Sequence, residues 1–589
     1  MAVGIDLGTT NCALASLDSA SAWPVPQVTH PGEVQARPLL PSFLYVPSEH
    51  ELAEGALDLP WAHQRTYCVG ELAREQAARV PARVIASAKS WLCHAGVDRR
   101  AEILPFGAPP EVPKLSPLAA SARYLQHLRE AWEHEHPGQK LESEDVVITV
   151  PASFDAVARD LTVEAAAQAG LPKIGLLEEP QAALYAWLDS RGEGWRKELQ
   201  VGDAILVCDV GGGTSDFSLI AVREAEGNLS LERVAVGDHL LLGGDNMDLA
   251  LAHAVRAKLE ARGKQLDTWQ FHALTHGARV AKESLFADAA LEKAAIAIPG
   301  RGSSLVGGTL RTELSRAELL QILVDGFFPK VEASARPAAA RRVGLTQLGL
   351  PYAQDAAITK HLAQFLGRQA KEGSFAHPTA ILFNGGVFKA AALQARVLEV
   401  LNGWLAAAGA KPVRVLEGAN LDLAVARGAA VYARVRAGEG IRIRGGIARS
   451  YYVGVESAMP AVPGMAPPLK AVCVAPFGME EGTDAELPNQ EFGLVVGEPV
   501  QFRFFASARR PDDQVGTTLE RWSEDELEEV APIEANLPPA DGANAGEVVP
   551  VKLHAEVTAT GTLALSAAPS RKDTDKRWKL EFNVRLRGE

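Results

Sequence analysis

Ala204 to Ile220 reads AILVCDVGGGTSDFSLI: an apolar run, an aspartate, three glycines, a threonine, a second aspartate and another apolar run. The pattern predicts a β-hairpin whose glycine turn presents bare backbone N–H groups and two carboxylates at one end of a buried strand. Such a turn suits a phosphate and its metal ion, because glycine lets the backbone approach closely and adopt positive φ. A near-copy opens the chain at Val3 to Ser16, with Asp6, Gly8, Thr9, Thr10 and Asn11 in corresponding places. Two such hairpins are expected to grip one nucleotide from both sides.

Further turns of the same kind follow outward from this pair. Leu242-Gly243-Gly244-Asp245 precedes a helical stretch, and Ala380 to Val387, AILFNGGV, is another apolar strand running into a double glycine. One glycine pair is ordinary punctuation in an α/β protein; three after apolar strands, two flanked by Asp and Thr, form a pattern. The chain has no G-x-x-x-x-G-K-[ST], and no G-x-G-x-x-G follows a strand, so P-loop and dinucleotide-binding folds are excluded. With no lysine inside the loops, a metal must neutralise the phosphates, and Asp6, Asp209 and Asp216 are suitable hard oxygen ligands, acting through water.

Around the turns, strand and helix signals alternate. DVVITV at 145–150 reads as a buried strand and is followed by a helix from about Phe154 to Ala169, closed by Gly170. Ser116 and Pro117 open a helix that ends at Pro137-Gly138; its Glu133, His134, Glu135 and His136 put the two histidines on different faces, so no metal site is expected there. Helices are also expected over Gln181–Ser190, Phe271–Phe286, Ser315–Ala335 and Leu423–Arg436. Residues 337–378, rich in Ala and Arg, resist assignment. The alternation implies an α/β architecture.

From about Tyr451 the period changes to two. Val551, Leu553, Ala555 and Val557 interleave with Lys552, His554, Glu556 and Thr558, and Trp578, Leu580, Phe582, Val584 and Leu586 repeat the pattern. Half-buried antiparallel strands follow, hence a separate β-domain over 449–589. Ser523 to Val530, SEDELEEV, reads equally as a capped short helix. The expected organisation is an α/β domain at 1–436, a glycine-rich linker at 437–448 and the β-domain.

Composition narrows the function. The 589 residues exceed one core, and 73 acidic against 59 basic residues leave a net charge of -14, which argues against nucleic acid or anionic membrane as main partner. Cys12, Cys68, Cys93, Cys208 and Cys473 are scattered, with no C-x-x-C, and read as reduced core residues of a cytoplasmic protein. No run of about 18 apolar residues occurs, and the N-terminus carries no signal-peptide pattern.

GIDLGTTN, VVITVPASFDAVAR, LLEEPQAALYAWL, CDVGGGTSDFSLI, LLGGDNMD, FNGGV and NLDLAVARGAAV resemble, in order and approximate spacing, the motifs of the 70-kDa heat-shock (DnaK-type) chaperones of the actin and hexokinase ATPase superfamily. The resemblance implies a two-lobed actin-like ATPase domain followed by a β-sandwich that binds unfolded or extended polypeptide. ATP or ADP with Mg2+ would be the cofactor, and a J-domain co-chaperone and an exchange factor would be partners. On the matching positions, Asp6, Gly8, Thr9, Thr10, Asn11, Gly211, Gly212, Gly213, Gly243, Gly244, Lys282, Gly385, Gly386 and Asp422 would line the nucleotide site. Lys89, Glu179, Asp209, Thr214 and Asp216 would carry slow hydrolysis, with Mg2+ held by Asp6 and Asp209 through water. Pro151 and Arg159 occupy the places of the family's proline switch and relay arginine, and Val500 and Phe502 lie in a strand that could reach the peptide groove, though sandwich core is the plainer role.

Departures accompany the match. Arg279, Val280, Ala281, Lys282 and Glu283 stand where the family shows Glu-x-Ala-Lys and a basic residue, a change expected at a solvated edge. Arg442, Arg444 and glycines interrupt the apolar linker of Ile441, Ile443 and Ile447, which puts coupling between the domains in doubt. The chain stops after the last alternating strand, so a lidless member is expected. A nucleotide-gated binder of one folded partner with little turnover is the rival reading, and a small-molecule kinase on the same fold is a more distant one.

Overall fold

In the computed structural model the two glycine hairpins are the centres of two sheets. The structure describes residues 1–17, 23–94, 96–154, 156–225, 228–300, 309–338, 349–370, 375–418, 420–444, 447, 449–457, 467–480, 483–487, 490–507, 509–523, 526–538, 546–558, 563–570 and 577–580. By contacts the chain forms two compact units: Met1–Ser153 with Leu161–Leu231 and Gly237–Arg442, and Phe154–Asp160 with Glu232–Val236 and Ile443–Glu589.

In the first unit, Ala2–Leu7 pairs antiparallel with Asn11–Ser16 and parallel with Asp145–Val150, which carries Gly175–Glu178 on its far side. The second sheet repeats the plan: Ala204–Val210 pairs antiparallel with Ser215–Ala225 and parallel with Ala380–Asn384, beyond which lies Arg414–Val415. Parallel strands are covered on both faces, and accordingly Val146, Val147, Ile148, Ile205, Leu206, Val207, Ile381 and Leu382 are all buried.

Helices Glu179–Arg191 and Ala424–Arg436 pack together, and the second also lies on Ala2–Leu7. Small residues permit this approach. A Cβ on Gly428 would sit 1.7 Å from the Ala182 carbonyl oxygen, and one on Gly4 would sit 2.0 Å from that of Ala426. A side chain at either place would push whole elements apart.

Most expected helices form, with boundaries shifted by a few residues. Ser116 caps Pro117–Glu135, its Oγ accepting from the Ala119 N–H at 3.0 Å, and Gly170 takes φ of 86° behind Ala156–Gln168. The helix expected over 315–335 is a correction: Arg316–Leu320 is α-helical, Gln321–Phe327 widens to a π-helix, and the element ends there. Pro329 explains the stop, since it drives the preceding Phe328 out of helical dihedrals, to φ -126° and ψ 54°. Part of 337–378 lies outside the described residues; within it Ile358–Arg368 is a helix with one apolar face.

The second unit is a β-sandwich. One sheet runs Thr518–Leu519, Leu469–Ala475, Ser450–Glu456, Pro499–Ser507 and Glu528–Asn536; the other is built on Glu547–Val557 and Leu563–Pro569. Val472, Val474 and Phe504 from the first meet Val551, Leu553, Val557 and Leu565 from the second in one core. The alternation read over 551–557 is realised, with the odd positions inward. Trp578 is buried, while Phe582, Val584 and Leu586 lie outside the described residues. Phe502 packs on this core, and Val500 is half-buried. Ser523–Val530 is not a helix where described: Glu528 onward is strand, and 524–525 lie outside the described residues. Within 437–448, Ile443–Arg444 is extended and Ile443 and Ile447 are buried.

Candidate nucleotide site

The strand registers place the acidic groups. Asp209 and Asp216 are cross-strand partners at the closed end of their hairpin. Asp6 stands next to Thr149 in parallel register, and Asp209 next to Asn384. The polar neighbours donate: Thr149 Oγ1 to Asp6 Oδ1 at 3.3 Å, and Asn384 Nδ2 to Asp209 Oδ2 at 2.8 Å.

The two turns then face each other. A Cβ on Gly212 would lie 1.6 Å from Thr10 Oγ1, so only glycine allows the hairpins this approach. The third turn docks on the second by backbone alone, the Gly244 N–H donating to the Gly211 carbonyl at 3.0 Å and the Asp245 N–H to that of Gly212 at 2.7 Å. Gly385, at φ 87°, brings the fourth close, since a Cβ there would meet the Val210 carbonyl at 2.3 Å.

Between them lies a cavity of ≈ 590 Å³. Asp6, Gly8, Thr9, Thr10, Asn11, Lys89, Glu179, Asp209, Gly211, Gly212, Thr214, Gly244, Lys282, Gly385, Gly386 and Asp422 all line it, drawn from segments far apart in sequence. Gly213, Asp216 and Gly243 are not on its wall. Asp216 sits behind, where Ser153 Oγ donates to its Oδ1 at 2.5 Å and lies 2.6 Å from His239 Nδ1.

Lys89 Nζ is ion-paired with Glu179 Oε1, both side chains largely buried. Burial works against the lysine charge, but Glu179 and Asp6 outweigh it and hold its pKa above the ordinary value. Burial, aided by Glu179, pushes Asp6 up to about 7 despite Lys89 and Thr149. Burial and then Glu179 raise Asp209 well above the carboxylate range, against the hydrogen bond from Asn384. Burial lifts Asp216 to about 6, with Ser153, Lys89 and Thr214 opposing. Four carboxylates, Asp209 and Asp216 buried and Asp6 and Glu179 half-buried, thus converge with one lysine, a donor set of hard oxygens short of positive charge. Thr10 Oγ1 is buried without a hydrogen-bond partner among the described residues. This orphaned hydroxyl, the bare glycine turns and the oxygen donors fit a phosphate chain with a divalent cation.

The opposite wall is the helix Thr268–Ala287, which contributes Arg279, Lys282, Glu283, Phe286 and Ala287. Its charged face is not the solvated edge expected from sequence. Arg279 pairs with Asp245 and, through Nε, with Asp248 Oδ2 at 2.6 Å; Lys282 Nζ reaches Asp248 Oδ1 at 2.7 Å. Asp248 is 1% exposed. Lys389 and Asp422 pair at 2.5 Å on the cavity's other rim. Thr149, Ser153, His239, Asn384 and Asp248 are not among the residues the sequence reading singles out, and Asp245 is read there only as the end of its glycine turn. For Thr149 and Asn384 the available signal was a polar residue at the end of an apolar strand, last but one for Thr149 and last for Asn384; the others needed the fold.

The family model described as Hsp70 protein matches residues 61–340. A chaperone protein HscA homolog of Pseudomonas putida is 33% identical over 301 residues, 48% of this chain and 42% of that protein. One from Bordetella pertussis is 35% identical over 296 residues, 48% of this chain and 41% of its own length. Chaperone protein HscA of an Enterobacter strain is 34% identical over 269 residues, 44% and 38% of the two chains. The matches span less than half the length of these curated relatives.

Proposed function

We propose that the chain is a member of the Hsp70 family, whose model matches residues 61–340, that it binds and slowly hydrolyses Mg-ATP over 1–436, and that it holds an extended polypeptide on its β-sandwich over 449–589. One observation carries the nucleotide half: glycine turns from two hairpins, with Gly212 against Thr10, converge on one cavity with Lys89 and Glu179 between the acidic groups.

In this reading the Gly212 N–H and the Thr9 and Thr10 hydroxyls hold phosphate oxygens, while the Gly211 N–H, donated to the Thr214 carbonyl at 2.9 Å, fixes the turn. Asp6 and Asp209 would hold Mg2+ through water, their carboxylates oriented by the hydrogen bonds from Thr149 and Asn384. The bound ion would neutralise phosphate charge and polarise the terminal phosphoryl group. Lys89, kept protonated by Glu179, adds a fixed positive charge where negative charge accumulates during transfer. Thr214 lines the cavity and orients the attacking water, and Asp216 supports it from behind. Gly385, Gly386 and Asp422 close the rim.

A J-domain co-chaperone and an exchange factor are the expected partners. The five free cysteines suit a reducing, cytoplasmic setting, and no helix among the described residues is long and apolar enough to cross a membrane. The test is calorimetric ATP binding with and without Mg2+, single-turnover hydrolysis, and anisotropy of a labelled unfolded peptide with ATP, ADP or neither. Magnesium-independent binding would defeat the site reading, and absence of peptide binding in every state would defeat the chaperone half.

A second reading, a nucleotide-gated binder of one folded partner, draws on the engagement of both Arg279 and Lys282 by Asp248. ATP binding without detectable turnover would favour it.

A further inference from the structure

The wall formed by Thr268–Ala287 divides along its length. Arg279 and Lys282, nearer the Gly243-Gly244 turn, are tied to Asp245 and Asp248. One turn further on, Glu283 lines the cavity and is exposed; its charge is felt by Arg279 four residues back, which Asp245 and Asp248 already hold, and it makes no ion pair or hydrogen bond among the described residues. Residues 279, 283 and 286 share a helix face, so Glu283 and Phe286 line the cavity one to two turns along the helix from Arg279, whose partner Asp245 is bonded to the Gly212 turn.

A nucleotide with its phosphates on the glycine turns would have its base to place against the remaining walls, of which this helix is one. Phe286 offers a ring for the base to stack on. The charge left available there is a carboxylate, which only accepts hydrogen bonds. Adenine's Watson–Crick edge pairs one amino donor with the acceptor N1, which repels a carboxylate. Guanine's edge presents N1–H and N2–H side by side, two donors spaced for the two oxygens of one carboxylate.

We propose that Glu283 reads the nucleobase and makes the site accept guanine nucleotides on a par with adenine nucleotides. The inference rests on the nucleotide site proposed above and adds its base specificity. Base-edge reading separates from ribose reading because the ribose diol is identical in every nucleotide.

The experiment measures ATP, GTP and ITP affinities by calorimetry with Mg2+ for the whole chain and for Glu283→Gln. ITP lacks only the N2 amine of GTP. The expected result is a wild-type GTP Kd within about tenfold of that for ATP, and ITP weaker than GTP. Glu283→Gln should weaken GTP by about tenfold more than it weakens ATP, since hydrogen-bonding sites discriminate strongly against unpaired analogues. Wild-type GTP binding a hundredfold weaker than ATP, ITP equal to GTP, or an equal loss for all three nucleotides in Glu283→Gln would each overturn the inference while leaving the ATP site standing. Binding of no nucleotide by the wild type would overturn the site itself. Circular dichroism of the exposed-site variant checks its fold.

Discussion

Asn384 lies beside Asp209 in parallel register and donates its amide to Oδ2 at 2.8 Å, as Thr149 donates to Asp6 at 3.3 Å in the other lobe. Each candidate metal-holding carboxylate is thus aimed by a polar residue near the end of the neighbouring strand. Asn384→Ala leaves a buried acceptor without its donor, which costs about 1–3 kcal/mol. Chemical denaturation should show that loss, and calorimetry should show Mg-ATP affinity reduced by about tenfold, in line with outer-shell substitutions. Unaltered affinity would remove Asn384 from the site.

Gly212→Ala places a methyl group 1.6 Å from Thr10 Oγ1. The two turns must separate, and nucleotide binding should fall by at least about a hundredfold, the scale of a 1 Å misplacement. Gly194→Ala, where a Cβ meets nothing within 4 Å, is the control and should bind as wild type. Equal affinities for both variants would refute the facing-turn geometry.

Lys89→Ala strands Glu179 in a buried site and should destabilise the protein by about 3–5 kcal/mol. The double variant with Glu179→Gln removes the uncompensated charge, so stability should largely return. Single-turnover hydrolysis should stay at least about a hundredfold down in both, because the positive charge is absent in each. Recovery of turnover together with stability would make the lysine purely structural.

His127 titrates against folding. Its Nε2 lies 2.9 Å from the Pro26 carbonyl oxygen, and burial, with Arg65 adding to it, lowers its pKa to about 4 against the pull of Pro26 and Glu130. The neutral ring is favoured in the fold, so its contribution is complete above the unfolded value near 6.5 and is lost as pH falls through 4. The slope in that window is up to about 1.4 kcal/mol per pH unit. Denaturant unfolding at pH 7, 5.5 and 4.5 should show a steeper loss for wild type than for His127→Gln; parallel curves would rule the group out.

Much of the architecture was legible because it rests on local pattern. The apolar run, Asp and glycine triplet at 204–220 became the hairpin Ala204–Val210 and Ser215–Ala225, and period-two alternation at 551–557 became a half-buried strand. Turn chemistry and side-chain period are properties of neighbouring residues, so a single stretch carries them. The helix expected across Ser315–Ala335 failed for a reason also written locally, in Pro329, which outweighed the apolar periodicity before it.

The site was legible in its residue types and only partly in its arrangement. Sequence alone marked Asp6, Asp209 and the glycine turns as candidates for phosphate chemistry, because bare amides beside carboxylates suit a phosphate and its metal ion. Tertiary structure decided that Asp216 stands behind the cavity on Ser153, that Arg279 and Lys282 are consumed by Asp248, and that Glu283 lines the cavity. Those outcomes depend on strand register and on which charges from distant segments fall within 4 Å of each other, and no spacing along the chain encodes such distances.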